Sequence, residues 1–217
     1  MQPFIDHTIE YLPILLTGLR LTILVTLGSL VVATVLGLVW ALMRVSGVRA
    51  LAAIARTVIN LIRGIPIIVQ LFYIYFVLPD FGITLTALQA AIIGLGIAYS
   101  AYQAENFRAG IEAIDHGQVE AAQSIGMGWA LMMRRVILPQ AVRIMLPPYG
   151  NTMIMMLKDS SQASTITVAE LALQGKLIAS ATFQNSTVFT LVATLYLTMS
   201  IPLIILTGWL ERKFGRK

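Results

Sequence analysis

A chain of 217 residues that is 58% hydrophobic and only 12% charged, with a mean hydropathy of +0.83, is too apolar to keep a polar exterior around a water-soluble core, which leaves the class of membrane proteins. Cysteine is absent, which excludes disulfides and thiolate metal sites, and the two imidazoles, His7 and His116, lie in different polar segments, so no metal centre is expected. The net charge of +5 does not require nucleic acid, because a membrane protein concentrates Lys and Arg in its cytoplasmic loops.

The N-terminal MQPFIDHTIE has acidic residues and no basic region ahead of its short apolar stretch, so a cleaved signal peptide is not expected. A hydrocarbon core of about 30 Å takes roughly 20 apolar residues in a helix, since no water is there to satisfy loose backbone groups. Five spans are predicted, over residues 21–43, 64–79, 83–104, 140–157 and 187–210. The second opens at the Arg63-Gly64-Ile65-Pro66 break and the fourth contains Pro147-Pro148, so both need support from neighbouring helices. Within the spans, Ser29, Ala33 and Gly37 recur every four residues, as do Ala90, Gly94 and Ala98. Such spacing lets helix backbones approach closely, and it predicts a compact bundle. Residues 44–63 interleave Leu51, Ile54, Val58 and Leu61 with arginines, a pattern that fits either a helix lying at the interface or the buried lower end of the second span.

Alternating the loops over five spans gathers Arg44, Arg49, Arg56, Arg63, Arg108, Arg134, Arg135, Arg143, Arg212, Lys213, Arg216 and Lys217 on one side. The other side keeps Arg20, Lys158 and Lys176, facing Asp6, Glu10, Asp80, Asp159 and Glu170. The positive-inside rule then places the N-terminus outside and the C-terminus in the cytoplasm. The expected class is an all-α integral membrane protein, a single transmembrane domain over 1–217.

The longest polar connection, Glu105 to Arg143, falls on the cytoplasmic side. Residues 116–125 suit a short helix with Ala121 and Ala122 allowing close approach, and Gly126 and Gly128 permit a turn after it. From local pattern alone, a solvated loop with one helical turn fits as well as a docking element. The sequence Glu120-Ala121-Ala122, Gly126 and the later Leu138-Pro139 resembles the EAA loop of bacterial importer permeases, with Val136 standing where that family usually has Ile. The resemblance extends over nearly the whole chain and is closest to permeases of the polar amino acid uptake family: Arg63-Gly64-Ile65-Pro66 with Gln70, Tyr102 with Glu105 and Arg108, Leu157-Lys158-Asp159-Ser160-Ser161 and Val168-Ala169-Glu170-Leu171 all look like its segments. Gln162 departs from the apolar residue expected there.

What the resemblance implies is a five-span permease in the bacterial inner membrane, acting as a homodimer or with a sister permease. It further implies two cytoplasmic ATP-binding-cassette ATPases, an external solute-binding protein, and a coupling loop over about 116–139 carried by Glu120, Ala121, Ala122, Gly126, Leu138 and Pro139. No Gly-x-x-x-x-Gly-Lys-Ser/Thr phosphate loop occurs in the sequence, so ATP and Mg are expected on the partner ATPase and no cofactor or catalytic residue on this chain.

For the cargo, Asn151, Met155 and Asp159 share one helical face, and ionisable groups in or at the edge of a membrane are candidate functional sites. Asp159 suits an ammonium, and Ser160 and Ser161 offer donors for a carboxylate; alternatively Lys158 and Asp159 only mark the headgroup end of a span. Gln70 and Tyr102 are polar side chains in apolar spans that either line the pathway or bond a neighbouring helix. Glu105 and Arg108, three apart, can pair as a clamp or gate at the cytoplasmic mouth. The methionines at 127–133 and 153–156 read as flexible packing rather than a soft-metal path. A stand-alone secondary amino acid transporter or channel is the alternative, but neither an internal repeat nor a buried proton-relay acid is evident. An intramembrane enzyme lacks the necessary constellation, and a purely structural subunit would show no transport partners encoded beside it.

Overall fold

The computed structural model describes residues 2–214, with side chains described from His7 onward. The side chain of Asp6 and the basic residues Arg216 and Lys217 of the charge argument lie outside the described residues. Among the described residues every regular element is helical. Helix α1 spans Gln2–Val45, α2 Arg49–Gly64, α3 Ile67–Phe72, α4 Ala87–Glu112, α5 His116–Ser124, α6 Trp129–Met132, α7 Leu138–Asp159, α8 Leu171–Thr182 and α9 Asn185–Phe214.

Two helices among the described residues, α1 from His7 to Val45 and α9, are by themselves long and apolar enough to cross a membrane. They expose their apolar side chains, Leu24, Leu27, Val31 and Val35 on α1 and Leu197, Ile201 and Ile205 on α9, as lipid-facing helices do. Helix α4 is the reverse. It is 26 residues long and buries Ala90, Leu95, Tyr99, Ser100, Gln103 and Ala104, so its polar groups face protein and it can be less apolar than a peripheral span.

Close approach between α1 and α4 is built from the small residues. Ser29 and Ala33 are fully buried, and a Cβ built on Gly37 would lie 2.8 Å from Gln103 Cβ and 3.0 Å from the Ser100 carbonyl oxygen. The obstacle at Gly37 is therefore partly backbone, which cannot rotate away. We expect Gly37→Val to cost about 1–3 kcal/mol through overpacking, read as a lowered thermal midpoint of the detergent-solubilised protein; an unchanged midpoint would refute this account of the packing.

Pairings along the helices give their directions. Gly28 faces Ile92 and Gly96 faces Val32, so α1 and α4 run parallel; Asn106 meets Thr152 and Tyr99 meets Asp159, so α7 runs against α4. Asn151 meets Glu211, whereas Met153 and Leu157, further along α7, line one cavity with Thr198, Met199 and Pro202, so α9 runs against α7. One end of the bundle thus collects Arg44, Arg108, Arg143, Arg212 and Lys213.

Helix α2 does not extend the following segment. It meets 67–81 at 99° and rests on the bundle through Ala55 and Ile59, over Trp40, Ala101 and Ala104. The Pro66 break frees carbonyls at the end of α2, and Gln70 Nε2 donates to two of them, Ile62 O at 2.8 Å and Ile65 O at 2.9 Å.

Two π-helical turns, Tyr73–Val77 and Met133–Ile137, each end two residues before a proline, Pro79 and Pro139. A proline lacks the N–H that would bond four residues back and its ring crowds that carbonyl, so the preceding turn widens.

Candidate functional site

Two groups of residues stand out, one at the arginine-rich end and one deep between α4 and α7. At the arginine-rich end, Asp115 caps α5 by accepting Gly117 N–H at 2.7 Å. The helix terminates by two bonds, Met127 N–H to Ala122 O at 3.1 Å and Gly126 N–H to Gln123 O at 2.9 Å, with Gly126 at φ +78°. That is a Schellman termination. It explains the motif's spacing: the second alanine supplies the carbonyl of the last turn, and the glycine four residues later takes the left-handed position. Ala122 is buried with Ile111, Ile114, Met132, Met133 and Met145, while Glu120 is exposed and Ile125, Trp129 and Leu131 present apolar surface at 72%, 53% and 43% exposure. Leu138-Pro139 follows the second π-helical turn and opens α7. Glu120, Ala121, Ala122, Gly126, Leu138 and Pro139 therefore frame one compact knob. Its inner face is greasy and packed, and its outer face combines a carboxylate with unpartnered apolar groups.

Behind the knob, Glu105 and Arg108 pair at 2.7 Å, and Arg44 at the end of α1 joins the same carboxylate at 2.8 Å. Arg108 also pairs with Glu112. The sequence pattern exposes the i,i+3 pair, but Arg44 is 61 residues away. Glu105 lies just past the predicted span; burial pushes its carboxyl up, yet Arg108 and Arg44 outweigh this and hold it below the ordinary 4.5. A depressed folded value means that this tie between α1 and α4 is fully present at neutral pH and fades as pH falls through the depressed value. We expect Glu105→Gln to lower the thermal midpoint at pH 7, with the gap to the parent narrowing once the pH drops below 4.5. A gap that stays constant with pH would refute the assignment.

The second group surrounds Asp159. Tyr99 is twelve residues into α4 from Ala87, about 18 Å along its axis, and its hydroxyl donates to Asp159 Oδ2 at 2.7 Å. Asp159 therefore sits opposite the middle of α4 rather than at its outer rim. It is partly exposed, and among the described residues it is in no ion pair. Tyr102 stands one turn further along α4, its ring 5.7 Å from that of Tyr99 and under the Arg63 guanidinium at 5.6 Å.

The other sequence candidates separate. Ser160 and Ser161 adjoin Asp159, but their hydroxyls donate back to Leu157 O and Lys158 O. Asn151 is exposed two turns before Asp159 and donates to Glu211 at 3.1 Å. Gln70 is engaged at the α2 break, far in the chain's order from the α7 residues.

Two features are not singled out as site residues by the sequence. Asn106 donates to Thr152 Oγ1 at 2.9 Å and to Gln103 Oε1 at 3.2 Å, joining α4 to α7 just after Pro148. Glu170 is fully buried and caps α8 through Ala172 and Leu173 N–H, both at 2.9 Å, while Tyr196 donates to it at 2.9 Å and Thr22 at 3.3 Å. Only its place in the Val168-Ala169-Glu170-Leu171 segment marked it, and its work is to fasten α1, α8 and α9 together.

A membrane-embedded helical bundle with a presented helical knob and, between α4 and α7, a partly exposed carboxylate whose bonded partner is neutral is a transport subunit in form. The chain belongs to the family described as binding-protein-dependent transport system inner membrane component, which matches residues 33–216. It is 42% identical over 162 residues to the L-cystine transport system permease protein TcyB of Bacillus subtilis, covering 75% of this chain and 69% of that one. It is 38% identical over 219 residues to the octopine transport system permease protein OccM of Rhizobium meliloti, covering 94% and 89%. A chain in the crystal structure of an amino acid ABC transporter with histidines superposes with a TM-score of 0.88 at 39% identity, covering 95% of this chain and 97% of that one. A chain of the MetNI methionine ABC transporter shares the fold, with a TM-score of 0.73 at 21% identity.

Proposed function

We propose that this chain is the permease subunit of an ATP-binding-cassette importer that moves polar amino acids into the cytoplasm by alternating access. The observation that carries the reading is its likeness, along nearly its whole length, to permeases of amino acid transporters. The knob formed by α5 and its Schellman turn is the element that docks on a partner ATPase, where ATP and Mg are bound. Movement of that knob is passed through the Ala122–Met132–Met145 packing and the Arg44–Glu105–Arg108 tie into α1, α4 and α7.

The arrangement has five crossings, with the N-terminus outside, in the bacterial inner membrane. In it α1, the bent 49–81 segment, α4, α7 and α9 alternate so that the arginine-rich helix ends and the knob face the cytoplasm. A second copy or a sister permease, two ATPase subunits and an external solute-binding protein complete the importer. Asp159 is the acceptor for a positively charged group of the cargo, because a partly buried carboxylate with only a neutral partner is cation-seeking; Tyr102 and Asn151 flank it along the same pathway. Ser160 and Ser161 contribute shape beside it, and Gln70 supports the α2 bend. A stand-alone secondary carrier would have no use for the presented α5 knob.

The test is to co-express the chain with its neighbouring ATPase, purify the complex in lipid nanodiscs and measure ATP hydrolysis with and without the amino-acid-loaded binding protein. Stimulation by the loaded binding protein is expected. A complex that assembles but hydrolyses at the same rate under both conditions would overturn the importer reading.

A further inference from the structure

We infer that Tyr99 is a positioning residue for the cargo, fixing the carboxylate of Asp159 so that one oxygen stays open to a cationic group. The inference rests on the reading of Asp159 given above and extends it to a residue that the sequence did not mark. Four observations carry it.

Tyr99 is 1% exposed and its ring lies in the main apolar cluster with Leu71, Leu95, Met156 and Ala163. Its ring therefore has no freedom to follow a mobile partner, and its hydroxyl is a fixed point. That hydroxyl donates to Asp159 Oδ2 at 2.7 Å, and among the described residues no other side chain or backbone N–H donates to this carboxylate. Asp159 is the last residue of α7 before the 3-10 turn Ser160–Ile166, so its side chain would otherwise sample several rotamers at a helix end. A hydroxyl is the donor suited to this task. It pins one oxygen by a single bond and leaves the full negative charge, whereas Lys or Arg in its place would cancel the charge and compete with the cargo. Lys158 is adjacent in the chain but is exposed and makes no ion pair with Asp159.

The chemistry therefore divides between two residues on two helices: Asp159 supplies charge and Tyr99 supplies aim. Losing the hydroxyl while keeping the ring should weaken cargo binding about three- to tenfold, the range for one net hydrogen bond. Losing the charge should weaken it more. Because Tyr99 acts only through Asp159, the two losses should not add.

The experiment uses the complete permease–ATPase complex in nanodiscs without binding protein, so that the affinity read is the permease's own. Equilibrium dialysis with radiolabelled arginine, lysine, histidine and glutamine is run on the parent, Tyr99→Phe, Asp159→Asn and the double variant. Thermal midpoint and ATPase co-purification are measured in parallel. The expected result is a three- to tenfold rise in Kd for Tyr99→Phe at unchanged thermal midpoint, a larger rise for Asp159→Asn, and a double variant equal to Asp159→Asn alone. An unchanged Kd in Tyr99→Phe, or effects that add in the double variant, would overturn the positioning role and leave Asp159 as a cargo contact. No change in Kd for Asp159→Asn, or no parent binding of any of the four at millimolar concentration, would overturn the reading of Asp159 itself. If Tyr99→Phe fails to assemble while the double variant assembles, the hydroxyl only shields a charge in the fold, which also overturns the proposal.

Discussion

Replacing Gly126 with valine is expected to abolish most ATP-driven uptake, by tenfold or more, in a protein that still inserts and still retains cargo binding. Gly126 sits at φ +78°, and no atom lies within 4 Å of a Cβ placed on it. The Cβ itself meets no obstacle beyond the flanking residues, so in Gly126→Ala the effect comes from the backbone. A left-handed conformation costs an L-residue about 1–2 kcal/mol, and a β-branched residue stands at the upper end. At about 1.4 kcal/mol per tenfold, that strain shifts the population of the Schellman turn by roughly an order of magnitude. The turn sets where Met127 and Trp129 leave α5, so losing it moves the docking face relative to the packed inner face of the knob. The measurement is uptake per ATP hydrolysed in proteoliposomes, with Gly126→Ala as an intermediate case; parental coupling in both variants would remove the turn from the mechanism.

The second large effect is expected at Asp159. Asn is isosteric, and its carbonyl oxygen still accepts the Tyr99 hydroxyl, so Asp159→Asn should assemble normally. What it removes is the charge that a cargo ammonium or guanidinium needs, a charge-assisted bond of about 1.5–3 kcal/mol. Binding of cationic amino acids should weaken about ten- to hundredfold, with ATP hydrolysis in the absence of binding protein unaltered. Equilibrium binding by the assembled complex checks this, and parental affinity in the variant would return Asp159 to a purely structural place at the end of α7.

Much of this architecture is legible in the sequence because lipid imposes strict local rules. Long apolar runs mark α1 and α9, Ser29, Ala33 and Gly37 mark the α1–α4 contact while Gly94 of the second stripe faces Leu71 and Ile74 instead, and Gly126 marks the end of α5. The rest depends on what lies across the bundle. Asp159 reads as the outer end of a span because Lys158 adjoins it and the polar Ser160-Ser161-Gln162 follow it, and only the antiparallel pairing of α7 with α4 reveals that it faces the middle of α4. Arg44 reads as one of many interfacial arginines until Glu105 is seen to bridge it to Arg108. The hydroxyls of Ser160 and Ser161 look free in sequence, but a helix end offers them carbonyls at no distance. Helix α1 begins at Gln2, well ahead of the apolar run at 21: Gly18 packs on Glu170, Leu171 and Gln174, so Arg20 sits where α1 meets α8 and does not interrupt the helix. Gln70 shows the opposite limit: a polar residue in an apolar span suggests a pathway, yet it repairs the hydrogen bonding that Pro66 breaks.

This chain is expected to move amino acids only when a partner hydrolyses ATP. The most direct measurement reconstitutes it with its neighbouring ATPase in proteoliposomes, adds the binding protein outside, and follows uptake of radiolabelled polar amino acids with ATP, with a non-hydrolysable analogue, and with an imposed proton or sodium gradient. Uptake that requires both ATP hydrolysis and the binding protein is the predicted result. Uptake driven by the ion gradient without ATP would make the chain a secondary carrier and contradict the account.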